Sequence, residues 1–426
     1  MTSDVYIDNE ETTAIKKNKS FKLLTFSSLF SLLGDQLTLL TLPWIVLSLT
    51  SDSLILGSVI GALGLPMTIL MLFGGVLVDR FSPRNILLTT KLVSSVILLT
   101  AAFLLYKEML TLPLLYVLVF LLGTCTAFAA PAASSILPRI VEQQSLQSAN
   151  GTLMFLRSLA TLIGPILAGV ILSSSTSQDG AVQTESMALA FMINGLGFLA
   201  SAFFIYRLLI EHTYKASGQT IFKDLVSAFR YTWNQKQLRL VIIYATLTGL
   251  FVSGPIQVAL PLFVKEQLQG GPGTLGFLMS ASALGGMLGM LIATRVPQIG
   301  RLTLGFTLLV VDLIVGIALM GFSTIENIQF AALVLLMLQV LTGYVQVALV
   351  TWIQSQSSPE MLGRVMSIVM FTIVGLLPLS AAMAGYFLTF YESDTIFSLS
   401  GISLACVSLL ALVLTDMSRI KRVKVA

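Results

Sequence analysis

Charged residues are scarce in this chain. They make up 10% of its 426 residues, whereas 56% are hydrophobic and the mean hydropathy is +0.92. Soluble domains carry about 25% charged residues, so a water-soluble core is excluded. The net charge of +4 is spread over short loops and tails instead of forming one patch, which argues against a nucleic-acid partner.

Histidine and cysteine are also nearly missing. The single histidine, His212, stands alone in a polar segment, and Cys125 and Cys406 each lie within an apolar run. This pattern offers no disulfide framework and no metal-ligand spacing. The chain also lacks the Gly-rich loop ending in Gly-Lys-Ser/Thr that holds ATP phosphates. We therefore expect a protein that is not an enzyme and has no metal or cofactor. Any transport would be driven by an ion gradient or by the gradient of the substrate itself.

Long apolar runs are what the sequence has in abundance. About 20 residues of α-helix cross the hydrocarbon core of a bilayer. The runs predict an all-α membrane protein with twelve transmembrane helices embedded in a lipid bilayer. The predicted spans are 22–49, 54–78, 86–106, 112–137, 149–173, 187–210, 240–264, 274–294, 302–322, 328–353, 365–390 and 396–414.

The basic residues give the predicted orientation. With the N-terminus inside, we assign all but three of the 24 Lys and Arg to inner loops and tails. The exceptions are Lys107 and Lys265 outside and Arg157 within a span. The positive-inside rule therefore predicts that both termini are cytoplasmic.

The spans group into two predicted six-helix bundles that are pseudo-repeats of each other. The loops after the fourth and tenth spans both join a polar, small-residue span end to a Pro and an acidic residue, a form of internal repetition found in many transporters. Polar composition predicts a disordered tail before the first bundle. The predicted segments are a cytoplasmic tail 1–21, an N-terminal bundle 22–210, a cytoplasmic linker 211–239, a C-terminal bundle 240–415 and a basic cytoplasmic tail 416–426.

The linker carries apolar residues at helical spacing. Ile221, Leu225, Phe229 and Trp233 recur every four residues among basic side chains. This pattern indicates an amphipathic helix that lies on the inner membrane surface, with a plain solvated linker as the alternative.

The stretch 74–84, GGVLVDRFSPR, joins the second and third spans through a short charged turn. By itself it fits either a tight hinge or an ordinary stop signal. With the twelve spans and the basic central loop, it resembles the loop motif of the major facilitator superfamily. The matching residues are Gly75, Asp79, Arg80 and Arg84.

That resemblance implies the major facilitator fold and a cytoplasmic gate in which Asp79 caps a neighbouring helix. A carboxylate near a helix N-terminus gains from the macrodipole, and a basic neighbour adds a charge-assisted bond. The corresponding segment 289–301 keeps a Gly and two Arg but lacks the acid, so we expect the gate to be asymmetric.

The fifth span is similar to the helix-5 motif of the superfamily's drug and proton antiporters at Gly164, Pro165 and Gly169. Other segments are similar to a bacterial efflux branch that includes enterobactin-type siderophore exporters and macrolide efflux proteins. The resemblance implies a multi-pass protein of the bacterial cytoplasmic (inner) membrane, which we expect to be a monomer. The segments are LLGDQ at 32–36, AFRYTW at 228–233 and SSPEMLGRV at 357–365.

Asp35 is the ionisable residue that stands out within the spans. An ionised side chain at a helix centre costs about 2.5–3.5 kcal/mol, so such residues usually face a cavity or a partner. Asp35 shares one helical face with Ser27, Ser31 and Thr38. We predict that this face lines the substrate cavity and that Asp35 carries protons, because burial favours a neutral carboxyl group. A structural carboxylate bonded to a neighbouring helix is the alternative.

Other polar residues within the spans are weaker candidates. Asp312, in the ninth span, is a second candidate for proton coupling, but the ninth helix is peripheral in the resembled fold, which favours a structural role. Arg157 binds an anionic substrate or pairs with Asp35, or else it snorkels or holds helices together. Cavity-lining glutamines, which alternatively bond between helices, are Gln257, Gln339 and Gln346.

Together these features predict a secondary active transporter. The leading hypothesis is a proton-coupled antiporter that exports an amphipathic small molecule of the drug or siderophore class by alternating access. An uptake symporter or a lysophospholipid transporter of the same fold is the alternative. A non-transporting receptor or scaffold is the alternative from another class, although it has no need for a costly acid such as Asp35.

Overall fold

The computed structural model describes residues 18–50, 52–80, 82–142, 145–174, 183–208, 229–295, 303–357 and 361–420. Within these ranges, eleven helices are long and apolar enough to cross a membrane. They lie close to eleven of the predicted spans, so the prediction of an all-helical membrane protein is confirmed. The helices are α1 (Lys19–Leu49), α2 (Ser53–Arg80), α3 (Pro83–Tyr106), α4 (Leu112–Ile140), α5 (Leu146–Ser173), α6 (Thr184–Tyr206), α7 (Lys236–Glu266), α8 (Pro272–Arg295), α9 (Leu304–Phe322), α10 (Ile328–Gln356) and α12 (Ser393–Leu414).

The eleventh predicted span, 365–390, forms two shorter helices instead of one. We name them α11a (Leu362–Gly375) and α11b (Leu377–Phe387). Pro378 lies in the first turn of α11b and has no N–H with which to continue the preceding helix. The proline therefore accounts for the interruption.

The chain divides into two compact units, Met1–Leu49 with Ala62–Gly218 and Thr50–Gly61 with Gln219–Ala426. The start of α2 therefore groups with the second unit, whereas the sequence prediction placed the whole of α2 in the N-terminal bundle. Gly57 explains why: a Cβ atom there would lie 2.8 Å from the Cα of Gly385. Only glycine permits so close an approach of the two backbones.

In the first unit, α6 packs against both α1 and α3, and α4 packs against α3. Helix α1 begins at Lys19. The side chain of the preceding residue, Asn18, accepts a hydrogen bond from the Phe21 amide (3.0 Å) and donates one to the Ile140 carbonyl (2.7 Å). Asn18 thus caps α1 and joins it to α4. Residues 1–17 of the predicted tail lie outside the described residues.

In the second unit, α8 and α10 meet through glycines. A Cβ atom at Gly285 would lie 2.1 Å from the Leu336 carbonyl oxygen, whereas one at the adjacent Gly286 would meet no atom of the described residues within 4 Å. Small residues of this kind let membrane helices pack with their backbones in contact.

Helix α7 changes its hydrogen-bond pattern near its middle. Residues Pro255–Ala259 form a π-helical turn. Just before it, the Ser380 hydroxyl donates to the Leu250 carbonyl (2.5 Å) and accepts from the Gly254 amide (2.7 Å). A regular α-helix would join those two backbone groups directly. The hydroxyl from α11b therefore bridges them and ties the two helices together.

The first part of the predicted C-terminal tail belongs to the fold. Met417 and Ile420 are buried, and the Ile420 carbonyl accepts a hydrogen bond from the Gly305 amide (3.2 Å). The Ser418 carbonyl accepts another from the Thr303 hydroxyl (2.5 Å). This segment, 416–420, therefore packs on the start of α9, while 421–426 lie outside the described residues.

The described end of the linker, 229–234, is helical. The rings of Phe229 and Trp233 stack there at 5.3 Å and are exposed. Ile221 and Leu225 lie outside the described residues, so the amphipathic helix stays a prediction.

Candidate functional site

The predicted polar face of α1 divides into two parts. The Ser31 hydroxyl is buried and lies 2.8 Å from the Ser201 hydroxyl on α6, which also bonds to Ser27 (2.7 Å). These serines form a helix contact instead of a cavity surface. Asp35, one turn further along α1, is exposed. The accessible part of the predicted face is therefore its central carboxylate.

The other end of that face is held by α6. Asn194 is fully buried and donates from its Nδ2 atom to the Thr38 hydroxyl (2.6 Å). Its Oδ1 atom lies against Gly34, where an added Cβ would be only 2.0 Å away. Gly34 thus leaves room for the amide, and this contact fixes α1 on either side of Asp35.

Lys91 is a candidate site residue that the sequence did not single out, because we assigned it to an inner loop. It lies within α3, with its ammonium group 4.8 Å from the centre of the Phe198 ring, a cation–π contact. The signal was present in the sequence, since Lys91 falls inside the predicted span 86–106. The assignment to the loop was wrong.

Lys91 and Arg157 both act electrostatically on Asp35. Among the described residues, neither base forms a salt bridge with it. Arg157, on α5, is exposed. The structure therefore brings together an accessible carboxylate on α1 and two cations, on α3 and α5. Charging or neutralising Asp35 changes the attraction between these three helices.

The helix-5 motif places α5 against α1 beside Asp35. A Cβ atom at Gly164 would lie 2.5 Å from the Cβ of Gln36, so the two helices touch there. Pro165 and Gly169 are buried in the same helix. The motif thus holds Arg157 and Asp35 on neighbouring helices.

Of the predicted gate motif, Arg84 has a described side chain. Its Nε atom donates to the Ile205 carbonyl (3.2 Å), an Nη atom donates to the Tyr206 carbonyl, and the guanidinium lies 5.8 Å from the Tyr206 ring centre. Arg84 therefore binds the last carbonyls of α6, where a positive charge is favoured. The side chains of the other motif residues, Gly75, Asp79 and Arg80, lie outside the described part, so their gating role stays a prediction.

The glutamine candidates all lie in the second unit. Gln257 is half-buried in the π-helical turn of α7, a feature that is frequent at functional sites. The Gln339 side-chain oxygen accepts from Thr342 on its own helix (2.6 Å), and Gln346 is exposed. The structure describes no contact among these three residues.

Asp312 lies in a second polar cluster. Its carboxylate accepts a hydrogen bond of 2.6 Å from the Tyr244 hydroxyl, which lies 3.0 Å from the Ser408 hydroxyl. Three helices, α7, α9 and α12, thus supply one residue each. Within the described residues, no group of three or more His, Cys, Asp or Glu residues lies close enough to hold a metal ion.

An all-helical fold of long apolar spans defines a multi-pass membrane protein. The profile of the Major Facilitator Superfamily matches residues 24–382. The chain belongs to that superfamily, as its sequence motifs predict. It is therefore a secondary transporter of a small molecule and not an enzyme.

Bacterial relatives match over most of the chain. The "Staphyloferrin A transporter" of Staphylococcus aureus (strain NCTC 8325 / PS 47) is 23% identical over 389 residues, covering 90% of this chain and 94% of that protein. The "Multidrug efflux pump Tap" of Mycobacterium tuberculosis (strain ATCC 25618 / H37Rv) is 24% identical over 374 residues, covering 85% of each.

Solved structures show the same fold. The nucleoside transporter NupG superposes with a TM-score of 0.73 at 12% identity, covering 94% of this chain and 100% of that one. The POT family transporter PepTSo superposes with a TM-score of 0.70 at 14% identity, covering 92% and 97%.

Proposed function

We propose that this protein is a proton-coupled antiporter that exports an amphipathic small molecule across the bacterial cytoplasmic membrane, with both termini inside. The observation that carries the proposal is the accessible Asp35 carboxylate in the middle of α1, acted on by the charges of Lys91 and Arg157. One of the relatives is a multidrug efflux pump, which supports export.

Protonation of Asp35 is the step that biases the transport cycle. An ionised Asp35 attracts α3 and α5, and a protonated one does not. At an effective dielectric constant of about 20, an attraction of roughly 2 kcal/mol corresponds to two unit charges about 8 Å apart, and a closer pair attracts more strongly. An energy difference of that size between two conformations shifts their ratio about 30-fold. Proton binding from outside and release inside therefore favour opposite conformations.

The same two cations favour one competing function. An anionic substrate would bind Lys91 and Arg157 best while Asp35 is protonated, since the carboxylate then no longer competes for them. Proton and anion would then bind together, which is the behaviour of a symporter. Uptake symport is therefore the second candidate.

The test uses the purified full chain in proteoliposomes with an imposed pH gradient. The probes are a siderophore, a macrolide and a lysophospholipid, each loaded on both sides and followed for net movement. We expect antiport, in which the probe moves toward the acidic compartment. Movement away from the acidic compartment would establish symport. Lack of movement of any probe under either gradient would leave the receptor or scaffold alternative.

Asp35→Asn separates coupling from folding. The amide keeps the size of the side chain but binds no proton, so we expect gradient-driven movement to fall to the level of empty vesicles. Asp52→Asn is the matched control, because Asp52 is exposed at the start of α2, where its side chain accepts from the Leu54 amide and an asparagine can do the same. Undiminished driven export by Asp35→Asn would remove Asp35 from the mechanism.

We also propose that Asp79 is the latch of the cytoplasmic gate. Its replacement by Ala removes the carboxylate that the loop motif provides for a helix N-terminus. The expected result is a resting state in which cysteines placed on the periplasmic side of the cavity label more slowly. Unchanged labelling rates would contradict the latch.

A further inference from the structure

The second unit holds an acid that the proposed mechanism does not use. Asp312 is the ninth residue of α9, so it lies about 12 Å along the helix axis from Leu304, near the middle of the span. Its side chain is half-buried. A carboxylate at this depth is costly unless it is neutralised by a cation or a proton.

Cations are missing around Asp312 in the described part of the chain. The elements that pack on α9 are α10, α12 and the turn Met417–Arg419, and α7 supplies Tyr244. Of their ionisable groups, Tyr244 alone acts on the carboxylate. The others are Lys236, Arg239, Lys265, Glu266, Tyr344, Asp394, Cys406, Asp416 and Arg419.

Hydroxyl groups surround the acid instead. Tyr244 is 5% exposed and Ser408 is 2% exposed, so both hydroxyls are shielded from solvent. With Asp312 ionised, the chain of hydrogen bonds runs from Ser408 to Tyr244 to the carboxylate. With Asp312 protonated, each hydroxyl can turn, so that the acid donates to Tyr244 and Tyr244 donates to Ser408. The same three atoms therefore accommodate either charge state.

We propose that Asp312 is a second proton-binding site, located in the second unit and formed with Tyr244 and Ser408. It is separate from Asp35 and deepens the proposed proton-coupled function, on which its role in transport rests. Tyr244 is a positioning residue that links the site to α7, the helix that carries the π-helical turn with Gln257. A transport cycle with both acids active takes up a proton in each unit.

Infrared difference spectra test the site without knowledge of the substrate. The purified full chain in lipid is titrated from about pH 9 to about pH 4, and the C=O stretch of protonated carboxyl groups is followed. We expect Asp312→Asn to remove one component of that band and Asp35→Asn to remove a different one. Asp394→Asn, in the first turn of α12, is the control and should leave both components in place.

The two proposals fail separately in this experiment. If Asp35→Asn changes nothing and Asp312→Asn removes a component, the second site stands and the Asp35 mechanism falls. If Asp312→Asn leaves the spectrum unchanged, the second site is refuted, whatever Asp35 does. Should Asp312→Asn fail to fold, Tyr244→Phe decides the matter. The loss of its hydroxyl must shift the frequency and midpoint of one component only, and an unchanged component would refute the site.

Discussion

Replacing Ser380 by Ala tests the link between α7 and α11b. The substitution removes the hydroxyl that bridges the Gly254 amide and the Leu250 carbonyl, and it leaves the shape of the backbone otherwise intact. We expect a folded protein that is less stable than the wild type, because two backbone groups within a membrane span lose their partner.

The expected size follows from the contacts. A buried polar group left without a partner costs about 1–3 kcal/mol, and two such groups set an upper limit of about 6 kcal/mol. The two groups belong to positions that a regular helix joins, so partial rebonding between them will recover part of the loss. We therefore expect about 2 kcal/mol. For a unit of this size that is a fall of about 4–8 °C in Tm.

Ser280 provides the matched control. It is buried in the same unit, and its hydroxyl has no hydrogen-bond partner among the residues that the structure describes. Ser280→Ala should therefore leave Tm unchanged or raise it slightly. The assay is thermal unfolding of both variants in the same detergent, with hydrogen exchange at the Gly254 amide as a local readout. Equal Tm values for the two variants, with unchanged exchange at Gly254, would refute the bridging role.

Three further predictions concern packing, the α6 terminus and the C-terminal segment. Gly285→Ala should lower Tm because its Cβ would strike the α10 backbone, whereas Gly286→Ala should not; equal melting would contradict this. Arg84→Gln should speed hydrogen exchange in the last turn of α6, since that turn loses its cationic cap; unchanged exchange would count against the cap. Asp416 is paired with Lys236, whose hydrogen bond and positive charge lower the pKa of Asp416. The pair therefore stabilises the docked segment fully above the ordinary aspartate pKa, and this is lost as pH falls through the lowered pKa. Oxidative labelling of Met417 should rise over that acidic range, and in Asp416→Asn it should already be raised at neutral pH.

The spans could be predicted because each follows from local composition. A run of about 20 apolar residues needs no knowledge of its neighbours to be recognised, and the predicted ends fall close to those of the helices. The interruption between α11a and α11b was less predictable, since the effect of Pro378 depends on whether neighbouring helices satisfy the freed backbone groups. The sequence prediction therefore gave residues 365–390 as one continuous span.

The candidate site was predictable only in part. Asp35 stands out in the sequence as an acid in a span, and the structure leaves it accessible. The serines on its face look equally suited to a cavity, but their partner Ser201 lies 170 residues away from Ser31. Lys91 was missed because a basic residue near a span end is read as a topology signal first. Which side of a helix meets a neighbour is decided by tertiary packing, and periodicity alone does not give it.

The docking of 416–420 on α9 has a consequence for biosynthesis. A membrane protein is made from its N-terminus, and α9 is synthesised more than 90 residues before its cap, the segment whose Ile420 carbonyl binds Gly305. Until that segment emerges, the first turn of α9 keeps amide groups without their final partner. The second unit therefore completes its fold only after all its spans have been synthesised. A chain cut short just after Leu414 would insert its spans and yet present a defective α9 terminus to quality-control proteases.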